Sequence, residues 1–180
     1  SLNMNKFKGR IHLFSSELTV ERFAERVQKM DGRPLSDWTH VPFHPRESQY
    51  EAAIYPNDIN VIDYMELDPS KPYDVGNMIK KIFDKLEKGI AIIGLQMKDG
   101  ADIAYGGSWS KQKAEFYLTL SRNQEGNFAQ IQKAKNWLSR TNPYKLKKKF
   151  LLVDGINFYP SKDKKSWYKE GQKNYEEEEE

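Results

Sequence analysis

Three short, largely apolar segments of this chain each run into a polar side chain, and this repetition constrains the fold more than any other feature. The segments and the polar residues after them are Ile11–Phe14 with Glu17, Ile59–Ile62 with Asp63, and Ile90–Leu95 with Gln96. Short runs rich in Ile, Leu and Val are typical of buried strands. Open parallel sheets bind ligands outside the carboxyl ends of their strands. The sequence therefore predicts an α/β fold in which these polar residues share one edge of a sheet.

A helix is predicted directly after the first strand. Thr19 is suited to cap it, and it extends to about Met30, where Asp31-Gly-Arg-Pro34 ends it. Apolar side chains recur at helical spacing. They are Val20, Phe23, Ala24 and Val27. The stretch from Pro34 to Pro56 is expected to be irregular because of its prolines, with a candidate short helix at Arg46–Ile54.

A second helix is predicted between the second and third strands. Asp74 is a candidate cap, and Gly89 is expected to end the helix in the left-handed conformation. The residues expected to point inward are Val75, Met78, Ile79, Ile82, Phe83 and Leu86. Strand, helix and strand thus alternate twice. This order predicts a parallel sheet with right-handed crossovers.

The last third of the chain has the period of antiparallel strands. Alternating segments flank two turn sequences. The turn Asn123-Gln-Glu-Gly126 lies between Glu115–Leu120 and Phe128–Lys135. The turn Asp154-Gly155 lies between Phe150–Val153 and Ile156–Tyr159. The predicted architecture is a largely parallel sheet flanked by helices in three layers, followed by antiparallel hairpins. Residues 1–159 are expected to form one core, and residues 160–180 a disordered tail.

Composition limits the environment of the chain. It has 180 residues and no cysteine, which excludes disulfides and thiolate metal sites. No apolar run approaches the roughly 20 residues needed to span a bilayer, and no hydrophobic signal segment begins the sequence. We therefore expect a cytoplasmic protein without a membrane partner. The histidines, His12, His40 and His44, lack nearby Cys or a paired acid, so zinc binding is disfavoured.

The positive charges are clustered, although the net charge is only +3. The clusters are Lys145, Lys147, Lys148 and Lys149, and then Lys162, Lys164, Lys165 and Lys169, before the five glutamates of Glu176–Glu180. A basic body favours a polyanionic partner such as single-stranded or double-stranded nucleic acid. Lys98, Lys145, Lys147, Lys148 and Lys149 are the candidate nucleic-acid contacts. The alternative is that these lysines are solvated loop residues.

Each polar strand end has both a chemical and a plain interpretation. A carboxylate such as Asp63 can hold Mg²⁺ through its water shell beside nucleotide phosphates, or it can simply cap or ion-pair at a strand end. An amide such as Gln96, before a loop containing Gly100, Gly106 and Gly107, can touch a γ-phosphate and pass its presence to a mobile loop. The alternative is a surface amide. Glu17, with Ser15 and Ser16, can also cap the first helix.

Five blocks of this sequence resemble RecA-like P-loop ATPases of the replicative, hexameric helicase type, especially phage-borne relatives. The resemblance spans roughly residues 8–159. Its carriers are Phe14-Ser-Ser-Glu17, Val61-Ile-Asp-Tyr-Met65, Lys88-Gly-Ile-Ala-Ile-Ile-Gly-Leu-Gln96, Gly106-Gly-Ser108 and Lys133-Ala-Lys-Asn-Trp137. It implies a RecA-like three-layer core, ATP and Mg²⁺ as cofactors of the intact family member, DNA as partner, and homo-oligomeric assembly.

The resemblance also implies roles for individual residues. Glu17 would polarise the attacking water, Asp63 would hold Mg²⁺, and Gln96 would sense the γ-phosphate. Lys133 and Lys135 stand where the family places a basic pair that reaches the nucleotide of the neighbouring subunit. Arginine is usual at the second of these positions, and lysine lacks its bidentate geometry.

The family's phosphate-binding motif is missing from these residues. It reads Gly-x-x-x-x-Gly-Lys-[Ser/Thr], and no Gly-Lys pair occurs in the sequence. The chain thus resembles a fragment that begins just after the phosphate loop, without the strand that lies between the Gln96 strand and the strand around Tyr117. Weak ATP binding or none is expected of this chain alone. The alternative function is a non-catalytic module that binds nucleic acid or a partner protein through basic loops.

Overall fold

The computed structural model of the protein describes residues 7–30, 34–68, 70–161 and 167–169. The chain divides into two compact units, residues 1–113 and residues 114–180. Each unit has its own four-stranded sheet. The boundary between the two units lies within residues 1–159, which were expected to form one core. Whether these residues form one core stays a prediction.

The sheet of the first unit is entirely parallel. Its strands are β1 (Ile11–Ser15), β2 (Phe43–Pro45), β3 (Ile59–Asp63) and β4 (Ile90–Ile93), in the order β2-β1-β3-β4. Helix α1 (Val20–Gln28) lies between β1 and β2 in the chain, and α2 (Asp74–Lys85) lies between β3 and β4. The prediction of an α/β unit built on a parallel sheet is confirmed.

Both faces of this sheet are covered, as parallel strands require. Phe14 and Ile62 are buried on one face, where Val75, Ile79 and Ile82 of α2 pack against them. On the other face, Phe23 of α1 stacks on Phe43 at 5.3 Å between ring centroids and meets the edge of Trp38 at 5.7 Å. The alternation of side chains along β1 and β3 therefore sends successive residues into two separate apolar layers.

Helix α1 begins as predicted, but its first residue stays outside the packed face. The Thr19 side chain accepts a hydrogen bond from the Arg22 amide at 3.3 Å, which confirms the cap. Val27 is fully buried and Phe23 packs on Phe43, whereas Val20 is 53% exposed. Of the four residues at helical spacing, Val20 therefore does not pack against the core.

Three details predicted for α2 are wrong. Asp74 is the first helical residue, and Tyr73 precedes it without a side-chain cap. Phe83 is 43% exposed and lies beneath the Lys113 ammonium, 5.0 Å from its ring centroid. The helix ends at Lys85, and Gly89 instead lies against the chain before β3, where an added Cβ would stand 2.4 Å from the Asp58 carbonyl oxygen. Gly89 is thus required by close packing.

The region expected to be irregular contains strand β2. Its pairing with β1 is flanked by two backbone hydrogen bonds of 2.9 Å, from Leu13 to the Pro42 oxygen and from Arg46 to the Ser15 oxygen. Because β2 is an edge strand, its one proline, Pro45, need not donate to a neighbour. The candidate helix Arg46–Ile54 is reduced to a 3₁₀ turn, Tyr50–Ala52.

Polar side chains also fix the amino end of the first sheet. The fully buried Asn60 accepts from the Tyr55 amide at 3.0 Å and donates to the carbonyl oxygens of Tyr55, Asp58 and Ile90 at 3.0 to 3.2 Å. Asp58 binds Arg10 at 2.9 Å, and this bond lowers the pKa of the Asp58 carboxyl. These contacts tie the start of β3 to its neighbours.

The second unit is an antiparallel sheet, as predicted. Its strands are β5 (Phe116–Asn123), β6 (Gly126–Ala134), β7 (Lys147–Val153) and β8 (Asn157–Pro160), paired in chain order. The turn at Asp154 and Gly155 has positive φ at both residues, 53° and 68°, as a type I′ turn requires. Both predicted hairpins are confirmed.

Most of the residues expected to form a disordered tail, including Lys162, Lys164 and Lys165, lie outside the described residues. Of the described ones, Tyr168 forms a β-bridge with Lys147. In the described part of the chain, no helix is both long and apolar enough to cross a membrane.

Candidate functional site

The carboxyl edge of the first sheet gathers the three polar residues predicted there. Strands β1, β3 and β4 are parallel neighbours, with Ser15 opposite Asp63 and Ile62 opposite Ile93. Glu17 and Gln96 follow the ends of the two outer strands of this trio, and Asp63 ends the central one. All three are exposed. The sequence-based expectation that they share one edge agrees with this placement.

The chain reverses its winding direction at this edge. From β1 it proceeds to β2 on one side, and from β3 it proceeds to β4 on the other. The connections carry α1 and α2 on opposite faces, as the apolar contacts of Phe23 and Phe14 indicate. The reversal therefore lies between β1 and β3. A crevice outside the strand ends at such a switch point is where open α/β sheets bind ligands.

Tyr64, the residue after Asp63, lies near two of the three polar residues. Burial raises the pKa of the Tyr64 phenol, the Glu17 carboxylate raises it further, and the Gln96 side chain lowers it. The side chains of Glu17 and Gln96 therefore both influence one phenol, although β3 lies between their strands.

The backbone of Tyr64 is held from both sides. Its carbonyl oxygen accepts from the Ser16 hydroxyl and from the Tyr50 hydroxyl, each at 3.4 Å. A Cβ at Gly94 of the neighbouring segment would lie 3.4 Å from the Tyr64 Cβ. The peptide bond between Asp63 and Tyr64 is cis. Tyr64 is thus enclosed by the segments that follow β1 and β4.

The start of α1 is capped without Glu17. Thr19 caps the helix, and the Ser15 hydroxyl accepts from the Leu18 amide at 3.1 Å. Glu17 instead lines an open groove of about 570 Å³ along α1, together with Glu25 and the cations Arg22, Arg26 and Lys29. Cations and carboxylates therefore stand side by side in this groove.

The residues described at this edge suit Mg²⁺ as an ion that is bound through its water molecules. Among the described residues, no group of three or more His, Cys, Asp or Glu side chains is placed to hold a metal ion. Asp63 offers a carboxylate at the end of β3, and the Glu17 carboxylate follows the neighbouring strand β1. A single carboxylate with waters and ligand phosphates is a coordination that Mg²⁺ commonly adopts. The donor set therefore fits a water-mediated ion that arrives with a phosphate ligand.

The glycine-containing loop after Gln96 is anchored at its far end. The Tyr105 amide donates to the Gln96 carbonyl oxygen at 3.0 Å, and the Lys98 ammonium lies 5.5 Å from the centre of the Tyr105 ring. Gly106 (φ 85°) packs so closely that an added Cβ would stand 2.2 Å from Val75. Mobility of the loop as a whole stays a prediction.

The basic pair lies in the second unit. Lys133 stands on β6 opposite Tyr117. Lys135 follows the end of β6 and forms an ion pair with Glu115 at 2.5 Å. A role for Lys135 at the nucleotide of another subunit would require this ion pair to open.

Most of the lysines that were predicted to contact nucleic acid lie on a strand and not in a loop. Lys145 (φ 67°) precedes β7, and Lys147, Lys148 and Lys149 are its first residues. All four are half-buried. Since side chains alternate along a strand, Lys147 and Lys149 share one face and Lys148 lies on the other. The expectation of a basic loop is corrected for these three residues.

Sequence reasoning assigned no role to two residues of this edge, Arg46 and Tyr64, and considered Ser16 only as a cap of the first helix. Arg46 follows β2, and its guanidinium donates to the carbonyl oxygens of Ser48 at 3.2 Å and Gln49 at 2.9 Å. Their position directly after predicted strands was the available signal for Ser16 and Tyr64. No family model matches this chain, and no curated protein sequence matches it significantly.

Proposed function

We propose that the first unit supplies the hydrolysis edge of a RecA-like, helicase-type ATPase acting in DNA replication or recombination. The supporting observation is the placement of Glu17, Asp63 and Gln96 on adjacent parallel strands at the switch point of the sheet. Three different polar groups are thereby placed at one edge of the sheet. This arrangement is the one expected for a phosphate ester bound across the strand ends.

Each group has a distinct chemical task in this proposal. Glu17 accepts a proton from, or orients, the attacking water. Asp63 binds the water shell of Mg²⁺, and the Gln96 amide donates to a terminal phosphate oxygen. Bound Mg²⁺ would neutralise charge on the phosphates during transfer.

The phosphate chain itself needs further donors. Backbone N–H groups of a glycine-rich loop at a helix N-terminus normally supply them, and no Gly-x-x-x-x-Gly-Lys sequence occurs in these 180 residues. The edge described above therefore provides the residues that would bind the metal ion and the attacking water, without the donors for the phosphate chain. We expect this chain alone to bind ATP with a dissociation constant of about 1 mM or weaker. Micromolar affinity in calorimetry would contradict this expectation.

The assignment of Asp63 is tested by paramagnetic broadening. We expect Mn²⁺ with ATP to broaden the amide NMR signals of Tyr64 and Met65, because the ion would be held beside the end of β3. Broadening needs only low occupancy, so weak binding suffices. Asp63→Asn should abolish the effect, since an amide oxygen attracts a hydrated cation far less than a carboxylate.

The matched control is Asp84→Asn on α2, an exposed aspartate that pairs with Lys80. It should leave the broadening unchanged. Broadening that survives Asp63→Asn, or that is centred elsewhere, would contradict the proposed metal position.

A second candidate function is a non-catalytic module that binds DNA through β7. The observation that favours it is the run of three cations, Lys147, Lys148 and Lys149, on an inner strand of the second sheet. Adjacent cations on a rigid strand suit a phosphate backbone. The two candidates are compatible, because they concern different units.

Alternation along β7 gives this candidate a sharp test. We expect the double variant Lys147→Ala, Lys149→Ala to reduce the salt dependence of single-stranded DNA binding by about 1.4 in the slope of log K against log salt, at about 0.7 for each lost phosphate contact. Lys148→Ala, on the opposite face, should change the slope by less than half as much. Fluorescence anisotropy at several salt concentrations measures both. Equal slopes for all three proteins would contradict binding through this face.

A further inference from the structure

Three aromatic side chains of the second unit are left largely uncovered. Trp137 and Tyr144, on the connection from β6 to β7, are 42% and 47% exposed, and Trp167 is 38% exposed. Tryptophan and tyrosine usually bury most of their large ring surface in a core or an interface. A group of uncovered rings in one small unit therefore indicates a contact surface.

Two of these rings lie beside lysines at the start of β7. The Lys145 ammonium is 5.7 Å from the centre of the Tyr144 ring. Trp167 is held next to the strand by its neighbour Tyr168, whose backbone exchanges two hydrogen bonds with Lys147, at 2.7 Å and 2.9 Å. Aromatic rings and cations are thus interleaved at this end of β7.

The third ring, that of Trp137, borders open space. It lines an open groove of about 600 Å³ together with Lys135, Asn136 and Leu138. The side chain of Leu138 is wholly exposed. The groove leaves room for a further flat ring beside the indole.

The charge of this part of the unit selects the kind of partner. Residues 126–153 contain seven Lys and Arg side chains and no Asp or Glu. Of the seven, Lys135 is paired with Glu115, which lies outside this range. A polyanion is therefore favoured. Uncovered rings beside cations suit single-stranded nucleic acid, because its bases can stack on aromatic side chains, whereas the bases of a duplex are stacked on one another.

We propose that the connection from β6 to β7 is a stacking site for single-stranded nucleic acid. Trp137 and Tyr144 stack on bases, and the lysines at the start of β7 contact the phosphates. Trp167 provides a further stacking surface beside the strand. The inference rests on the second candidate function, in which β7 binds the phosphate backbone. It adds the stacking residues and the preference for a single strand.

Substitution of Trp137 separates stacking from plain apolar contact. We expect Trp137→Leu to weaken the binding of an oligothymidylate of about 16 nucleotides by about tenfold, as loss of one stacked base implies. Trp137→Phe keeps an aromatic face and should weaken binding by less than about threefold. Neither change should alter the salt dependence, because neither removes a phosphate contact. Fluorescence anisotropy at several salt concentrations measures both quantities.

The matched control is Leu138→Ala, because Leu138 lines the same groove without an aromatic ring. It should leave the affinity within about twofold of the unsubstituted chain. Equal losses for Trp137→Leu and Leu138→Ala would indicate an apolar docking surface for a protein and overturn the inference. No loss for Trp137→Leu overturns it as well, and so does an equal loss with a duplex of the same length.

A measurement on the unsubstituted chain guards against variants that fail to fold. Ring currents should move the thymine methyl NMR signals of the bound oligonucleotide upfield, and unshifted signals in the complex overturn the inference. Binding that responds to the double variant Lys147→Ala, Lys149→Ala but not to Trp137→Leu overturns stacking and leaves the second candidate function standing. Absence of binding to any oligonucleotide overturns both. An oligouridylate of the same length distinguishes RNA from DNA, and stacking on either supports the inference.

Discussion

Replacing Gly106 by alanine is expected to destabilise the first unit by about 3 kcal/mol. A left-handed φ costs a non-glycine residue about 1–2 kcal/mol, and Gly106 has φ 85°. The added Cβ would also stand 2.5 Å from the Pro72 carbonyl oxygen and 2.2 Å from the Val75 side chain. Crowding of this kind costs about 1–3 kcal/mol. Amide hydrogen exchange in α2 should accelerate about 100-fold, at tenfold for each 1.4 kcal/mol.

Gly100→Ala separates the two contributions. Gly100 has a similar φ of 74°, and nothing lies within 4 Å of its added Cβ. We expect a cost of about 1 kcal/mol from conformation alone. Equal effects of the two substitutions would show that Gly106 does not anchor the loop against α2.

Truncation of Phe14 to alanine is expected to destabilise the first unit by about 4 kcal/mol, within the range observed for buried phenylalanines. Phe14 is fully buried, contacts the α2 cluster, and stacks on His44 with 4.7 Å between ring centroids. The cavity would lie between the sheet and α2. Hydrogen exchange of the β1 and β3 amides reports this unit without interference from the second.

The matched substitution is Phe83→Ala, which removes the same side chain from a half-exposed position. The ring loses its contact with Lys113, worth about 0.5–1 kcal/mol, while alanine favours the helix by about 0.5 kcal/mol. We expect a net change within about 0.5 kcal/mol. A cost near that of Phe14→Ala would mean that Phe83 belongs to the core.

Strands β1, β3 and β4 of the first sheet were predictable because they are largely apolar. The hairpins of the second unit were predictable because their turns require particular φ values, which Gly and Asp supply. Strand β2 was not predictable, because Phe43–Pro45 is three residues long and ends in proline. Its pairing is imposed by the edge of β1. Periodicity likewise assigned Phe83 to the apolar face of α2, although its ring is 43% exposed and lies beneath the Lys113 ammonium.

The candidate site was predictable as far as strand ends define it. Parallel strands bring their carboxyl ends together, so Glu17, Asp63 and Gln96 could be grouped from the sequence. The influence of both outer residues on the Tyr64 phenol could not, because the reach of an aromatic side chain depends on the backbone turn after β3. The need for glycine at position 89 could not be predicted either, because it comes from the Asp58 carbonyl oxygen, which lies in a segment distant in the sequence.

The buried amide of Asn60 has a consequence for misfolding. An apolar β3 could slide by one position against its neighbours and still bury hydrophobic side chains on both faces. Such a slip would turn Asn60 to the opposite face of the sheet and break its hydrogen bond to the Ile90 carbonyl oxygen of the neighbouring strand. One polar side chain thus penalises a one-residue shift of β3 and keeps the strand ends level with one another.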